Sequence, residues 1–291
     1  METLKTVKNR IHSISSTRQI TESMRTVSII KMGLIRDRMD RNRPFVNETL
    51  RLVRTAAGDL TDSHPYTAVR KVERTGVVVI AADRGLCGGY NVNIGKETAQ
   101  LIQSEGDCKL VTVGVKARDY CGRRWKDMVA HSFTYISESP FYEDAQEISR
   151  MVVKWYDDKE VDQVYLVHTN FVNMLIQNPR AVKLLPFDSA QPGEAEAEAK
   201  AEPGIEMPMR YEEPGTEALL QKAVPFYVTA AIYGAMLESS LCEQSARASG
   251  MEAAVKNADE MIEKLTLMYN QARQSAITQE ITEIISGAES L

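Results

Sequence analysis

The segment DRGLCGGYN, residues 83–91, has the composition of a loop that could hold a phosphate group. It follows the apolar run TGVVVIAA, residues 75–82, and it precedes a stretch with the pattern of a helix. A buried strand followed by a glycine-rich turn and a helix can bind phosphate through backbone N–H groups and the helix N-terminus. The first question is therefore whether this chain binds a nucleotide here.

The glycine spacing matches neither of the common phosphate-binding motifs. Gly85, Gly88 and Gly89 follow one another at intervals of three and one, so the dinucleotide motif GxGxxG is absent. The one Gly-Lys pair, residues 95–96, lacks the other residues of a P-loop. We therefore interpret the three glycines as structural, because glycine permits a tight strand-to-helix turn and close backbone packing.

Other residue types that carry chemistry are scattered. The four histidines and four cysteines form no HxxxH or CxxC pair, and the nucleophile motif GxSxG is absent. The cysteines are expected to be reduced thiols. We therefore predict no catalytic residue, no metal site and no cofactor in this chain.

Charge is distributed unevenly along the chain. Residues 1–54 carry twelve Lys/Arg and five Asp/Glu, whereas residues 188–217 carry nine acidic and two basic residues. This asymmetry predicts separate partners or solvated faces for the two segments. The net charge of -5 gives no general case for nucleic-acid binding.

Two long helices are predicted at the ends of the chain. Residues 1–58 begin with apolar residues at the alternating spacing of three and four that is typical of a coiled coil, and residues 216–291 show the same spacing. We expect the two helices to form an antiparallel coiled coil. The final turns carry four isoleucines for which this chain offers no partner: Ile277, Ile281, Ile284 and Ile285. An apolar helix end of this kind indicates that another protein surrounds it.

Residues 75–187, between the helices, show an alternation of strand and helix patterns. Strands are predicted at 76–82, 109–115, 128–135, 163–171 and 180–187, and helices at 91–106, 116–124 and 143–159. The predicted fold class is therefore α/β, with an antiparallel coiled coil of long N- and C-terminal helices and a small Rossmann-like α/β domain. Residues 188–209 are acidic and rich in alanine, and we predict a disordered insertion there.

Three segments resemble the gamma subunit of bacterial F-type ATP synthase. They are LKTVKNRIHSISSTRQITESMRTVSIIKM at the N-terminus, DRGLCGGYN, which the family usually has as DRGLCGGLN, and EKLTLMYNQARQSAITQEITEIISGA near the C-terminus. The resemblance covers almost the whole chain except residues 188–209. It implies a central rotor shaft that couples proton-driven rotation of the c-ring to conformational change and to ATP synthesis or hydrolysis at the beta subunits. It also implies a non-catalytic subunit of a proton-translocating ATP synthase.

The resemblance also implies partners and contact residues. The partners are the alpha and beta subunits, the epsilon subunit, the c-ring and, indirectly, delta, at the cytoplasmic face of the bacterial inner membrane, with membrane contact only through the c-ring and no nucleic acid. The implied contacts with the beta subunits are Arg273, Gln274, Thr278, Glu280 and Met24. The implied foot, which contacts the c-ring and epsilon, contains Tyr211, Glu212 and Glu213.

Several alternatives stay open at the level of sequence. The chain could be a small nucleotide-dependent enzyme that binds its ligand through residues 83–91. It could also be a coiled-coil scaffold that binds nucleic acid through its basic N-terminal helix, and such binding would depend strongly on salt. Met24 could equally be an intramolecular residue of the coiled coil, and the basic helix face could simply be solvated.

Overall fold

A computed structural model describes residues 4–58, 64–68, 70–187 and 215–289. The predicted insertion at 188–209 and the predicted foot residues Tyr211, Glu212 and Glu213 lie outside the described residues. The chain divides into two compact units. We call residues 1–30 with 247–291 the helical unit, and residues 31–246 the sheet unit.

The described elements match the predicted alternation of helices and strands. They are α1 (Leu4–Gly58), β1 (Thr75–Ile80), α2 (Tyr90–Glu105), β2 (Cys108–Val113), α3 (Val115–Arg124), β3 (Val129–Phe133), α4 (Tyr142–Asp157), β4 (Gln163–Phe171), β5 (Gln177–Leu185) and α5 (Thr216–Glu289). Helix α1 continues through Pro44 and α5 continues through Pro225. Every predicted strand and helix is confirmed, with ends that move by a few residues.

The five strands form one sheet in the order β3-β2-β1-β4-β5. Strands β1 to β4 pair in parallel, and β5 pairs antiparallel with β4. The order 3-2-1-4 is that of doubly wound nucleotide-binding sheets, in which ligands bind in the crevice outside the carboxyl ends of the strands where the order reverses. In this sheet that crevice lies at β1 and β4. The Rossmann-like prediction is therefore confirmed.

Helices cover both faces of the sheet, which is why β1 is buried at all six positions. Val77 and Val79 belong to the core cluster that contains residues of α2 and α3. Val78 and Ile80 belong to the cluster that contains α4 together with parts of α1 and α5. Because successive side chains of a strand point to opposite faces, this alternation follows directly from the apolar run.

In the helical unit the two helices run antiparallel. Arg18 of α1 forms an ion pair with Asp259 of α5. Seven residues later, the pKa of Arg25 is raised by its hydrogen bond to Glu22 and by the charge of Glu252. The partner numbers fall on α5 as they rise on α1, which confirms the predicted antiparallel pairing. No described helix combines the length and the apolar composition that a membrane span requires.

Candidate functional site

The loop between β1 and α2 is organised by the carboxylate of Asp83. Its Oδ1 accepts hydrogen bonds from the backbone N–H of Val115 at 3.0 Å and of Tyr135 at 2.7 Å. Its Oδ2 accepts from the N–H of Ser137 at 2.9 Å and from the hydroxyl of the same residue at 2.8 Å. The chain's own anion therefore receives backbone N–H groups at the carboxyl edge of the sheet, where a nucleotide-binding fold would offer them to a phosphate.

Helix α5 lies against the crevice at the ends of β1 and β4. The hydroxyl of Tyr90, at the start of α2, donates to the carbonyl oxygen of Ser239 at 3.1 Å. The thiol of Cys242 lies 3.5 Å from the carbonyl oxygen of Thr169 near the end of β4. Tyr90 is almost fully buried, and this burial raises the pKa of its hydroxyl. The place where a doubly wound sheet would hold its ligand is thus packed with the protein's own helix.

The three glycines of the loop differ in what they do. Gly88 has a left-handed backbone with φ of 55°, a conformation that favours glycine. A Cβ at Gly85 would find no heavy atom within 4 Å, and the nearest atom to one at Gly89 would be the side-chain nitrogen of Asn93, at an ordinary contact distance of 3.5 Å. The backbone geometry therefore favours glycine at one of the three positions.

The closest backbone approach at this edge involves Gly114, which lies in no glycine-rich motif. Gly114, which connects β2 to α3, has φ of 93°. A Cβ there would lie 2.2 Å from the carbonyl oxygen of Ala81. Only the fold could reveal this position, because the neighbouring strand that crowds it lies far away in the sequence.

A polar cluster around the buried His168 lies between α5 and the antiparallel pair β4 and β5. The Nε2 atom of His168 accepts a hydrogen bond from the Nε of Arg180 at 3.1 Å, and its Nδ1 lies 3.4 Å from the Oε2 of Glu238. Burial, together with the charge of Arg180, lowers the pKa of His168 to about 3. The imidazole is therefore neutral, with its proton on Nδ1, and the contact with Glu238 is not an ion pair. A histidine that stays neutral in this way is poorly suited to acid–base catalysis near neutral pH.

The cysteines are also unsuited to chemistry. All four are buried thiols outside any disulfide bond. Burial raises the pKa of the Cys108 thiol to about 11 and that of Cys121 to about 12, so the reactive thiolate is scarce at neutral pH. Within the described ranges, no group of three or more His, Cys, Asp or Glu side chains is placed to hold a metal ion.

The last turns of α5, in the helical unit, form an exposed surface. Each isoleucine there has a large exposed fraction: Ile277 43%, Ile281 52%, Ile284 71% and Ile285 53%. Their spacing puts the first three on one stripe of the helix. An exposed apolar stripe of this length is typical of a surface that a partner covers.

The predicted contact residues flank this isoleucine stripe. Arg273, Gln274, Thr278 and Glu280 are all exposed. Arg273 lies one turn before Ile277 on the same side of the helix, and the hydroxyl of Thr278 donates to the carbonyl oxygen of Gln274 at 2.9 Å. Met24, which is partly buried, lies on the other helix of the unit. The structure thus gathers four of the five predicted residues on one short segment.

Comparison with known proteins shows the family to which this chain belongs. A family model described as ATP synthase matches residues 3–291. The ATP synthase gamma chain of Heliobacterium modesticaldum is 42% identical over 294 residues, and that of Desulforamulus reducens is 40% identical over 294 residues, with 100% of both chains covered in each case. The ATP synthase gamma chain, sodium ion specific, of Acetobacterium woodii is 35% identical over 300 residues, which cover 100% of this chain and 99% of that relative. The chain belongs to the family of ATP synthase gamma chains.

Solved structures show the same fold at lower identity. A chain of the Euglena gracilis mitochondrial ATP synthase, in an OSCP/F1/c-ring structure, has a TM-score of 0.66 at 19% identity, with 99% of this chain and 94% of that chain covered. A chain of the Tetrahymena thermophila mitochondrial ATP synthase central stalk and c-ring has a TM-score of 0.61 at 23% identity, with 81% of this chain and 99% of that chain covered. Both likenesses support the arrangement of a small sheet inserted between two long helices.

Proposed function

We propose that this chain is the central rotor shaft of a bacterial F-type ATP synthase. It couples proton-driven rotation of the c-ring to conformational change at the beta subunits, where ATP is made or hydrolysed. The observation that carries this proposal is the isoleucine stripe on the last turns of α5, with polar residues beside it. In a free chain that stripe would be exposed to water, whereas a surrounding ring of alpha and beta subunits would cover it.

The descriptions of two related solved chains support the c-ring and the F1 subunits as proposed partners. One of them lies in a central stalk with c-ring, and the other in an OSCP/F1/c-ring assembly. In our proposal the alpha and beta subunits surround the end of α5, while epsilon and the c-ring bind elsewhere on the shaft and delta interacts indirectly. The chain then sits peripherally at the cytoplasmic face of the inner membrane and reaches the membrane only through the c-ring.

We propose that this subunit has no catalytic site of its own. Asp83 occupies the donors that a phosphate would need, and α5 packs against the crevice where a dinucleotide would lie. The alternative hypothesis of a nucleotide-dependent enzyme therefore has no candidate binding site left at residues 83–91. A shaft instead transmits coupling free energy between two distant sites through packed, rigid elements.

We expect Arg273 and Gln274 to form hydrogen bonds with one beta subunit. The planar guanidinium of Arg273 can form two parallel hydrogen bonds with a carboxylate, which a lysine cannot do. Gln274 adds a donor and an acceptor on the neighbouring part of the helix surface. Thr278 and Glu280 extend this polar border by about two turns, and Met24 remains a predicted contact on α1.

Co-purification tests the proposal. The chain is expressed with the alpha and beta subunits of the same ATP synthase, and the beta subunit carries an affinity tag. The ratio of this chain to beta in the purified complex and its rate of ATP turnover are then measured. We expect one copy of this chain for every three beta subunits, and we expect Arg273→Ala with Gln274→Ala to lower the turnover.

A matched control lies on the opposite face of the same segment. Gln279 donates to the carboxylate of Glu283 at 2.9 Å, and both residues are exposed. The double variant Gln279→Ala with Glu283→Ala should therefore leave the turnover close to that of the wild type. Failure of the wild-type chain to co-elute would remove the shaft proposal. Co-elution with unchanged turnover in the Arg273 and Gln274 variant would keep the shaft and reject these two contacts.

A further inference from the structure

The carboxylate of Asp83 does more than accept the N–H groups at the carboxyl edge of the sheet. We propose that it is an internal anion that positions the loop of residues 134–141 so that this loop holds both long helices of the sheet unit. Asp83 is then a positioning residue for mechanical coupling, an inference that rests on the proposed rotor function.

The contacts of Asp83 require a carboxylate specifically. Each of its two oxygens accepts two hydrogen bonds, and all four come from donors on Val115, Tyr135 and Ser137. An asparagine side chain would place an NH₂ group against two of these donors, because only one of its two terminal atoms can accept. The cradle therefore fits an anion with two acceptor oxygens and excludes the neutral isostere.

The loop that receives these bonds has an unusual backbone. Tyr135 adopts a left-handed conformation with φ of 66° although its side chain is 83% exposed. Such a conformation is uncommon for a large residue and persists only where other contacts hold it. The bond from its N–H to Asp83, at 2.7 Å, is the contact that fixes this residue.

Three residues after Tyr135, the same loop contacts both long helices. The side chain of Glu138 forms an ion pair with Lys31 of α1 and lies 3.5 Å from the guanidinium of Arg84. Its backbone carbonyl accepts a hydrogen bond from the hydroxyl of Ser240 on α5 at 3.1 Å. One residue of the loop therefore contacts both helices, and its position depends on the Asp83 cradle.

Loss of the carboxylate should loosen this junction. Without Asp83, the donors on Val115, Tyr135 and Ser137 lose their shared acceptor, and the left-handed turn at Tyr135 loses its restraint. Glu138 then no longer holds α1 and α5 in one fixed position relative to the sheet. A shaft with a loosened junction would lose part of the torque that it transmits, while the catalytic sites on its partners stay intact.

The experiment compares hydrolysis with pumping in the complete ATP synthase. Membrane vesicles that contain the wild-type complex, Asp83→Ala or Asp83→Asn are supplied with ATP, and both ATP hydrolysis and proton pumping are recorded. We expect Asp83→Ala to pump fewer protons per ATP by about threefold, within the range of coupling changes caused by single substitutions. Asp119→Ala is the matched control, because Asp119 is a partly exposed carboxylate on α3 that pairs with its neighbour Arg118.

Added formate separates a positioning anion from a general structural residue. Formate is a small carboxylate that can occupy the emptied cradle, so millimolar formate should restore pumping in Asp83→Ala. It should not do so in Asp83→Asn, whose amide fills the space. Every sample is compared with the wild type in the same formate, because formic acid itself carries protons across membranes.

Two results would overturn the inference. One is normal pumping per ATP in Asp83→Ala, and the other is equal recovery with formate in both variants. If Asp83→Ala does not assemble, assembly becomes the measured quantity: recovery with formate supports the inference and its absence overturns it. A wild-type chain that does not assemble with the ATP synthase would instead refute the rotor function itself, so the two failures are distinguishable.

Discussion

Three glycines at the carboxyl edge of the sheet offer a graded test of the backbone geometry. Each is changed to alanine, so the chemical perturbation is the same methyl group. Gly85 has room for the new atom, Gly88 has φ of 55° and room, and Gly114 combines φ of 93° with a Cβ position 2.2 Å from the carbonyl oxygen of Ala81. Gly85→Ala should therefore cost no stability and Gly88→Ala should cost backbone strain alone. Gly114→Ala should cost backbone strain together with a steric clash.

The expected magnitudes follow from these geometries. Gly85→Ala should change the free energy of unfolding by no more than about 0.5 kcal/mol, as for an ordinary surface substitution. Gly88→Ala should lose about 1–2 kcal/mol, the cost of a left-handed conformation for a residue with a Cβ. Gly114→Ala adds an overpacking cost to this, because backbone rather than a flexible side chain must retreat, and should lose about 2–5 kcal/mol in total.

Tryptophan fluorescence during urea unfolding measures these differences in the right part of the molecule. The chain has two tryptophans, Trp125 and Trp155, and both lie in the sheet unit. Their signal therefore reports the stability of that unit rather than of the helical unit. A loss for Gly114→Ala that is within about 1 kcal/mol of that for Gly85→Ala would refute the close approach of β1 to the start of α3.

Two further predictions concern buried titratable groups. Burial and Arg180 hold the pKa of His168 at about 3, below its unfolded value, so the stability that comes from keeping it neutral is lost as pH falls from about 6.5 towards 3. The difference in unfolding free energy between the wild type and His168→Gln should accordingly shrink by up to about 1.4 kcal/mol per pH unit in this window, and a pH-independent difference would contradict the assignment. A thiol-specific reagent at mildly alkaline pH should leave the native cysteines unmodified and modify all four after unfolding, because they are buried and the pKa of Cys121 is raised to about 12. Rapid labelling of the native chain would contradict the burial of these thiols.

Local patterns were sufficient to predict the secondary structure and the exposed end of the last helix. The run GVVVIAA is apolar at every position because β1 is covered on both faces, and such a run is visible without any knowledge of partners. The isoleucines at 277, 281 and 284 were identified by helical spacing alone. In the structure these three side chains are exposed, and an exposed apolar stripe of that kind is typical of a surface that a partner covers.

The role of Asp83 could not be predicted, because its partners are distant in sequence. Val115, Tyr135 and Ser137 lie 32, 52 and 54 residues away and are brought together only when three parallel strands align their carboxyl ends. Sequence spacing alone also cannot decide which of two adjacent glycines takes a left-handed backbone, so Gly88 and Gly89 were indistinguishable before the fold was known. Met24 stays ambiguous for a similar reason: the heptad pattern drifts near it, and partial burial is compatible with either side of the helix.

The packing of α5 into the ligand crevice has a consequence for how this protein behaves in a living cell. A small molecule can stabilise a folded protein only by binding to it, and here Tyr90 and Cys242 contact the backbone of Ser239 and Thr169 near the edge where doubly wound sheets bind ligands. On the proposal that this chain holds no nucleotide, the stiffness of the sheet unit should stay the same when the cell's ATP concentration rises or falls. A rotor shaft of that kind would respond mechanically in the same way at high and at low ATP.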